Sequence, residues 1–375
     1  MPDTKDITEG HPPPAESTDN ESMLLLDGAR SNQPFVASEL ADQIKVAADP
    51  SQQLERRLEA LEDIFDSEVG DTIMTRARNI ERQNNLRQIF IKFEGGNPTG
   101  TQKDRIAFSH AMDAVRRGFD AITGATCGNY GAALALAGRM AGLRVVIHIP
   151  EGFHTRRIQE IVNLGAEIVR VPGNYENSVD ASMEYADKME IYDTNPGGAN
   201  TALQLQAYGE IAYEIYDELR DAPLAVAVPV SNGTTLAGVY RGFLSLYRRG
   251  KTSRIPHMVA GSSHNKNPIV TSFLKGKDHC EDLKPDIIRE TVVNEPLVNW
   301  HSLDGDQALG AVRVTNGWAA NASDKTMRGY SKLIREQEGL NVLPASTAGL
   351  AVLLERHQKN PLPGDRYVVI FTGRR

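Results

Sequence analysis

A lysine, an asparagine, a polar loop and a strand-terminal threonine are the residues of this chain best suited to chemistry. Lys103 lies in EGGNPTGTQKDR, between a Gly-rich loop and the start of a predicted helix. An amine so placed can be buried and unprotonated, and a neutral lysine adds to an aldehyde. Asn129 lies in TGATCGNYG, bracketed by Gly128 and Gly131. Its short amide can hydrogen-bond the oxygen of a flat aromatic ligand while the glycines let the backbone approach. In PVSNGTT, the N–H groups and hydroxyls of Ser231, Asn232, Gly233, Thr234 and Thr235 precede a helix and form a cradle for a phosphate dianion. Thr372 ends the apolar run DRYVVIFTG, where a hydroxyl can meet a ring nitrogen. Taken singly, each piece also has a plain structural explanation: a surface lysine, ordinary turn glycines, a polar turn, a strand end.

These residues need strands and helices to aim them, and the patterning supplies both. IFIKF reads as a strand running into Gly95-Gly96, with a helix from about Arg105 to Arg117 after the loop. Strand and helix signals then alternate: FDAITGA, the Ala-rich GNYGAALALAGRMAGL, RVVIHIP, TRRIQEIVNLGA, AEIVRVPG, SVDASMEYADKM, and later ALQLQAYGEIAYEIYDEL, PLAVAVPV and GVYRGFLSLYRRG. TAGLAVLLERHQ and DRYVVIFTG close the series. Such alternation predicts an α/β fold with a largely parallel sheet, whose ligands sit beyond the C-terminal ends of the strands. The loops at 95–105, 124–131 and 230–235, with Thr372, fall at those ends. Upstream, residues 38 to 67 look helical, with Leu54, Leu58, Leu61 and Ile64 on one face and Asp49 or Ser51 as a cap.

Composition narrows the class. The chain has 375 residues, 40% hydrophobic and 24% charged, with a net charge of −8, an ordinary globular balance of about two domains. Residues 1–22 carry six acids and one base, hence −5 of the −8, and read as a disordered acidic tail. No basic stripe points to nucleic acid, so anionic small molecules must be held by local groups. Cys127 and Cys280 are too few for a disulfide framework or zinc cluster and fit a reducing compartment. His148 and His154 lack acid or Cys partners at ligand spacing, so no metal site is expected. No apolar run spans a membrane, and the N-terminus has no signal-peptide pattern. The expectation is a cytoplasmic enzyme. The phosphate loop lacks GK[ST] and the G-x-G-x-x-G spacing, which disfavours a nucleotide-dependent enzyme.

In chain order, the four pieces resemble the site of the fold-type II, tryptophan-synthase-β-like group of pyridoxal 5′-phosphate (PLP) enzymes: threonine synthase, threonine and serine dehydratases, cysteine synthases. NPTGTQKDR is similar to N-P-T-G-S-F-K-D-R, TCGNYG to S/T-S-G-N-x-G, PVSNGTT to P-V-G-N-x-G/T-N/T, FTG to the strand before T-G-H-G, and LPASTAGLAVL to E-P-A-S-A-A-x-L-A-x-L. The likeness spans roughly Gly70 to Gly373. It implies a two-lobed α/β enzyme with PLP in the cleft: residues 23–105 and 196–375 forming a large PLP-binding domain, and 106–195 a small mobile one. It implies that Lys103 carries PLP as a Schiff base and acts as acid/base, that Asn129 bonds the 3′-oxygen, that residues 231–235 hold the 5′-phosphate and that Thr372 faces the pyridine nitrogen. Thr126, Cys127, Gly128 and Asn129 are then expected to receive the carboxylate of a small amino-acid substrate, in a protein that is a homodimer. The implied chemistry is β/γ-elimination or replacement, closest to threonine synthase. A β-replacement synthase acting on acetylserine or phosphoserine, a serine/threonine dehydratase and a non-catalytic homologue are the alternatives.

The sequence also departs from that pattern. Gln102 stands where an aromatic residue usually precedes the lysine, Leu343 replaces the Glu of E-P-A-S, and Arg374 follows Thr372-Gly373 in place of His. No Arg or Lys occurs between Asn195 and Arg220, where threonine synthases carry a phosphate-gripping Arg. A phosphorylated substrate would lose a charge-assisted contact there, unless His154, Arg156 or Arg157 supplies it.

Overall fold

The computed structural model describes residues 40–126, 128–153 and 157–375. The acidic tail, Cys127, His154 and Arg156 lie outside these residues. The chain folds as α/β, as the alternating pattern predicts. In order the elements are α1 (Ala41–Ala48), α2 (Leu54–Glu68), β1 (Met74–Arg76), α3 (Arg78–Asn84), β2 (Ile89–Phe93), α4 (Lys103–Arg116), β3 (Ala121–Ala125), α5 (Asn129–Ala141), β4 (Arg144–Pro150), α6 (Ile158–Asn163), β5 (Glu167–Val171), α7 (Tyr175–Met189) and β6 (Tyr192–Asp193). The second half adds α8 (Thr201–Leu219), β7 (Ala225–Pro229), α9 (Thr234–Arg248), β8 (His257–Ser263), α10 (Pro268–Leu274), α11 (Gly305–Val314), β9 (Trp318–Ala322), α12 (Asp324–Glu338), α13 (Ala348–Lys359) and β10 (Tyr367–Phe371).

Two sheets result, of order β1-β2-β10-β7-β8-β9 and β5-β4-β3-β6. Every pairing is parallel except β1 with β2. The inner strands AVAVP (β7) and YVVIF (β10) are buried throughout, the continuous apolar reading of a strand covered on both faces. The order places β10 between β2 and β7, so the loops leaving three adjacent strands open side by side at one edge. α5 is alanine-rich and buried almost all round, as a helix without a polar face must be.

One expectation needs correcting. The single helix read over 38–67 is two, because Asp49 precedes Pro50 and takes an extended conformation (ψ 108°) that cannot continue a helix. Asp49 does not cap α2; its carboxylate takes the Ser51 N–H at 2.9 Å and hydroxyl at 2.7 Å.

Candidate active site

Lys103 is the first residue of α4, and its neighbours fix it. Asp104, fully buried, accepts the Thr99 N–H at 2.9 Å and hydroxyl at 2.8 Å, closing the loop onto the helix start. Burial pushes the Asp104 carboxyl up to about 7 against the Thr99 hydrogen bonds and the charges of Arg157 and Arg374. Arg105 binds Glu94 at 2.6 and 2.9 Å and Glu214 of α8 at 2.6 and 2.9 Å. Lys92, buried in the middle of β2, also pairs with Glu214. The loop is further zipped to the end of β10: the Gln102 N–H donates to the Thr372 carbonyl at 3.0 Å, Thr101 bridges Gly373, and the Arg374 N–H donates to the Gly100 carbonyl at 2.9 Å. Charges and backbone bonds thus surround Lys103 and leave its amine for the cavity.

The amine faces aromatic rings, with Nζ 5.6 Å from the Tyr130 ring centre and 5.8 Å from that of Tyr208. Burial lowers its pKa to about 8, partly opposed by the charge of Asp304. A substantial neutral fraction at physiological pH follows, the state needed to attack a carbonyl carbon.

A cavity of about 170 Å³ is lined by Lys103, Thr126, Asn129, Ser231, Asn232, Gly233, Thr234, Thr235 and Thr372, whereas Gly128, also expected at the site, is not among the lining residues. It lies where loops from both sheets meet. The N–H groups of residues 231–235 have no hydrogen-bond partner among the described residues, so they form an open nest at the N-terminus of α9 suited to an anion. Gly233 makes the turn with φ +94°, and a Cβ there would lie 2.7 Å from the Ala308 side chain. Asn267 and Ser302 brace the loop through the Ser231 carbonyl, at 3.0 and 3.1 Å. The Thr234 hydroxyl donates to the buried Asp304, so its proton is not available to a phosphate. The backbone nest and the Ser231 hydroxyl are the donors that remain in this loop among the described residues, the Thr235 hydroxyl being hydrogen-bonded to Tyr208.

On the other wall, the Asn129 Oδ1 accepts from Arg157 at 2.9 Å, which turns its NH₂ group to other partners. The Thr126 Oγ1 accepts the N–H groups of Gly128 and Gly131, each at 3.1 Å, and the Thr126 N–H bonds the His148 carbonyl at 3.1 Å. The N–H groups of Thr126 and Gly128, expected for a substrate carboxylate, are therefore already engaged. The Asn129 N–H and the Thr126 hydroxyl proton are the donors left here among the described residues. Thr372 lies 3.0 Å from Ser346, hydroxyl to hydroxyl, so two hydroxyls occupy the strand end where one was expected. Arg374 does not enter the cavity lining; it reaches the carbonyls of Gly95 and Pro98, both at 3.2 Å. Arg157, offered above as a phosphate-binding cation, is engaged by Glu160 at 2.8 and 3.0 Å and by the Thr99 carbonyl at 2.8 Å besides Asn129.

Sequence reasoning missed Ser346, Asp304, Tyr130, Tyr208 and Gln204. Ser346 lies within LPASTAG, whose likeness to E-P-A-S-A-A carries a serine at this position. The others had no signal beyond ordinary helix or loop residues.

An amine of lowered proton affinity, an amide, an open anion nest and a hydroxyl pair suit the four sides of one ligand: an aromatic aldehyde phosphate with a ring nitrogen. These features define a fold-type II PLP enzyme. The chain belongs to the pyridoxal-phosphate dependent enzyme family, whose model matches residues 65–373, and members of that family depend on PLP. It is similar to the threonine synthase of Methanocaldococcus jannaschii, 27% identical over 305 residues, covering 81% of this chain and 74% of that protein. It is likewise similar to the threonine synthase of Synechocystis sp., 30% identical over 293 residues, 76% of this chain and 71% of the relative. In fold it resembles maize serine racemase (TM-score 0.70, 18% identity, 84% of this chain and 92% of that one). It also resembles threonine deaminase isoform 2 of Solanum lycopersicum (TM-score 0.68, 16% identity, 91% of each chain). No helix among the described residues is long and apolar enough to cross a membrane, and no group of three or more His, Cys, Asp or Glu among them can hold a metal ion.

Proposed function

We propose that this PLP-dependent enzyme withdraws the Cα proton of a small amino acid and then eliminates or replaces a β or γ substituent, in the manner of a threonine synthase-like lyase. The observation that carries this reading is the convergence of Lys103, Asn129, the open N–H groups of residues 231–235 and the Ser346–Thr372 hydroxyl pair on one cavity. PLP, when bound, supplies the electron sink that stabilises charge at Cα. The chain supplies the rest. Lys103 would hold the cofactor, and its amine, with a pKa of about 8, is suited to take and return the Cα proton. Residues 231–235 hold the phosphate, and the Asn129 amide faces the 3′-oxygen. Thr372 would meet the ring nitrogen, and a neutral hydroxyl there would leave that nitrogen unprotonated, chemistry that favours elimination or replacement over transamination. The Asn129 N–H and the Thr126 hydroxyl receive the substrate carboxylate, the Gly128 N–H being taken by Thr126. Residues 106–195 form the unit that closes over it, and the enzyme acts in the cytoplasm as a homodimer, which sedimentation of the purified protein tests.

The deciding experiment is spectroscopic. Purified protein should be yellow, borohydride should bleach it and fix cofactor mass to Lys103, and Lys103→Ala should be colourless after the same treatment. A wild-type protein that takes up no PLP ends this reading. Product analysis with phosphohomoserine, phosphoserine, acetylserine, serine and threonine then ranks the reactions. A β-replacement synthase or dehydratase is the second reading. It is favoured by the engagement of Arg157 and by a segment from Asn195 to Arg220 free of cations, which leave a substrate phosphate without a described partner.

A further inference from the structure

Behind the loop assigned to the phosphate stands an acid where a base would be expected. Asp304 lies at the entry to α11 and is 3% exposed. Its backbone is pinned to the loop: the Asp304 N–H donates to the Asn232 carbonyl at 3.0 Å, and a Cβ at residue 233 would lie 3.0 Å from the Asp304 carbonyl. The same carbonyl takes the Ala308 N–H at 3.1 Å, the first turn of α11. This leaves the carboxylate beside Thr234, whose hydroxyl donates to it. Thr234 lines the cavity and Asp304 does not. A single hydroxyl thus separates a buried carboxylate from the nest of residues 231–235, where the proposed function puts a phosphate dianion.

An ionised Asp304 and a phosphate would set two anions against one hydroxyl, and like charge favours the protonated acid. Among the described residues, the charged groups acting on this carboxyl are Lys103 at the start of α4 and Arg241 on α9. The proposed function commits Lys103 to the cofactor aldehyde. The Arg241 guanidinium hydrogen-bonds Gln307 at 3.1 Å on the surface. The Gln307 amide approaches the second Asp304 oxygen at 3.5 Å. Asp306, on the same helix, turns to the Cys280 N–H at 2.7 Å, and α10 brings only Ile269 to the Gly233 turn. Burial already raises the proton affinity of Asp304 against both cations and the Thr234 bond. The direction of one hydrogen bond decides the rest. With Asp304 ionised, Thr234 gives its only proton to the carboxylate. With Asp304 protonated, the carboxyl donates, Thr234 accepts, and the Thr234 proton is released for another acceptor, since a hydroxyl can accept and donate at once.

We propose that Asp304 is a positioning residue for the cofactor phosphate: it takes up a proton as the phosphate enters, reverses its hydrogen bond with Thr234, and so turns the Thr234 hydroxyl into a phosphate donor. This inference rests on the proposed function and adds to it a residue outside the cavity lining. Loading of PLP is then coupled to the uptake of one proton, and raising the pH opposes it.

The test titrates full-length apoprotein with PLP by calorimetry at pH 7.5, in buffers of different ionisation enthalpy, with the visible band read alongside. Free PLP is already a phosphate dianion there, the second pKa of such a group being about 6. We expect wild type to take up about one proton more than Asp304→Asn, whose amide donates to Thr234 at every pH. It should also take up about one more than Thr234→Val, which has no hydroxyl to turn. One proton of uptake makes affinity fall about tenfold per pH unit. Equilibrium dialysis should therefore show wild type losing at least tenfold in PLP affinity relative to Asp304→Asn between pH 6.5 and 8.5. An effect passing only through Lys103 has the opposite sign, because the Asp304 charge raises the Lys103 pKa and its loss favours the variant at low pH. The ³¹P resonance of bound PLP should report a dianion. Should Asp304→Asn fail to fold, Thr234→Val carries the comparison. Proton uptake equal in wild type and either folded variant, or a bound phosphate that is itself protonated, overturns the inference and leaves the PLP enzyme standing. A wild type that takes up no PLP overturns both.

Discussion

Arg105 and Glu214 stand 109 positions apart in sequence and close a pair of hydrogen bonds at 2.6 and 2.9 Å, two residues beyond the lysine that holds the cofactor in our reading. Burial alone would raise the Glu214 carboxyl, but the hydrogen bonds and charge of Arg105, with Lys92, outweigh it and hold the pKa at about 2. Glu214→Gln strips a counter-charge from two buried cations. We expect it to cost roughly 3–5 kcal/mol of stability, read as a lower urea midpoint. The sign of the pH dependence follows from the depressed pKa. The contribution of this carboxylate, about 3 kcal/mol by linkage, is present in full above pH 4.5 and fades as pH falls towards 2. The stability gap between wild type and variant should narrow over that window; a gap that stays constant would contradict the assignment.

Lys103 makes a kinetic prediction. Only its neutral form attacks the PLP aldehyde, and burial places its pKa at about 8. The rate at which apoprotein regains the visible band should climb with pH and level off just above 8. A rate still rising in proportion to hydroxide at pH 10 would mean that the amine is not buried as described.

Arg157 touches none of the reacting groups in the proposed mechanism, yet it joins Asn129, Glu160 and the Thr99 carbonyl. Arg157→Ala releases the Asn129 amide to rotate and loosens the loop ahead of Lys103. By analogy with other supporting hydrogen bonds around a bound group, PLP affinity should fall about 10–100-fold. Equilibrium dialysis of PLP against apoprotein measures it, and the thermal midpoint should move little. Unchanged PLP affinity would remove Arg157 from the site.

Gly233→Ala tests the anion nest. A non-glycine residue at φ +94° is strained by roughly 1–3 kcal/mol, and its Cβ would press on Ala308, 2.7 Å away. The turn must open, and its N–H groups must diverge. Loss of both stability and phosphate-dependent PLP retention is expected, with pyridoxal binding less affected than PLP binding. Equal losses for the two vitamers would show that residues 231–235 do not hold the phosphate.

The sequence revealed what is local. Strand ends, Gly-bearing turns and the lysine before a helix are properties of a few neighbouring residues, so Lys103, Asn129, residues 231–235 and Thr372 could be named beforehand. It did not reveal how polar groups divide their hydrogen bonds. Nothing in TGATCGNYG says that the Thr126 hydroxyl takes the Gly128 N–H that a carboxylate would want, because that depends on the twist of a turn. Nor could Glu94, Arg105 and Glu214 be recognised as one cluster when their partners are so distant. Arg374 illustrates the same gap: it follows Thr372 closely, yet its side chain turns to the carbonyls of Gly95 and Pro98. The break at Asp49-Pro50, by contrast, was legible and overlooked, since proline restricts the residue before it.

The placement of β10 has a consequence for how the enzyme is made. The strand lies between β2 and β7 in the sheet, but more than 260 residues separate it from Lys103 along the chain. A ribosome that has delivered the lysine and the phosphate loop has not yet delivered the strand that must be wedged between their supports. Until it emerges, the loop ahead of Lys103 lacks the backbone partners at Thr372, Gly373 and Arg374. The nascent chain can therefore fold much of its small sheet early, while loading of the vitamin waits for the final strand to be threaded home.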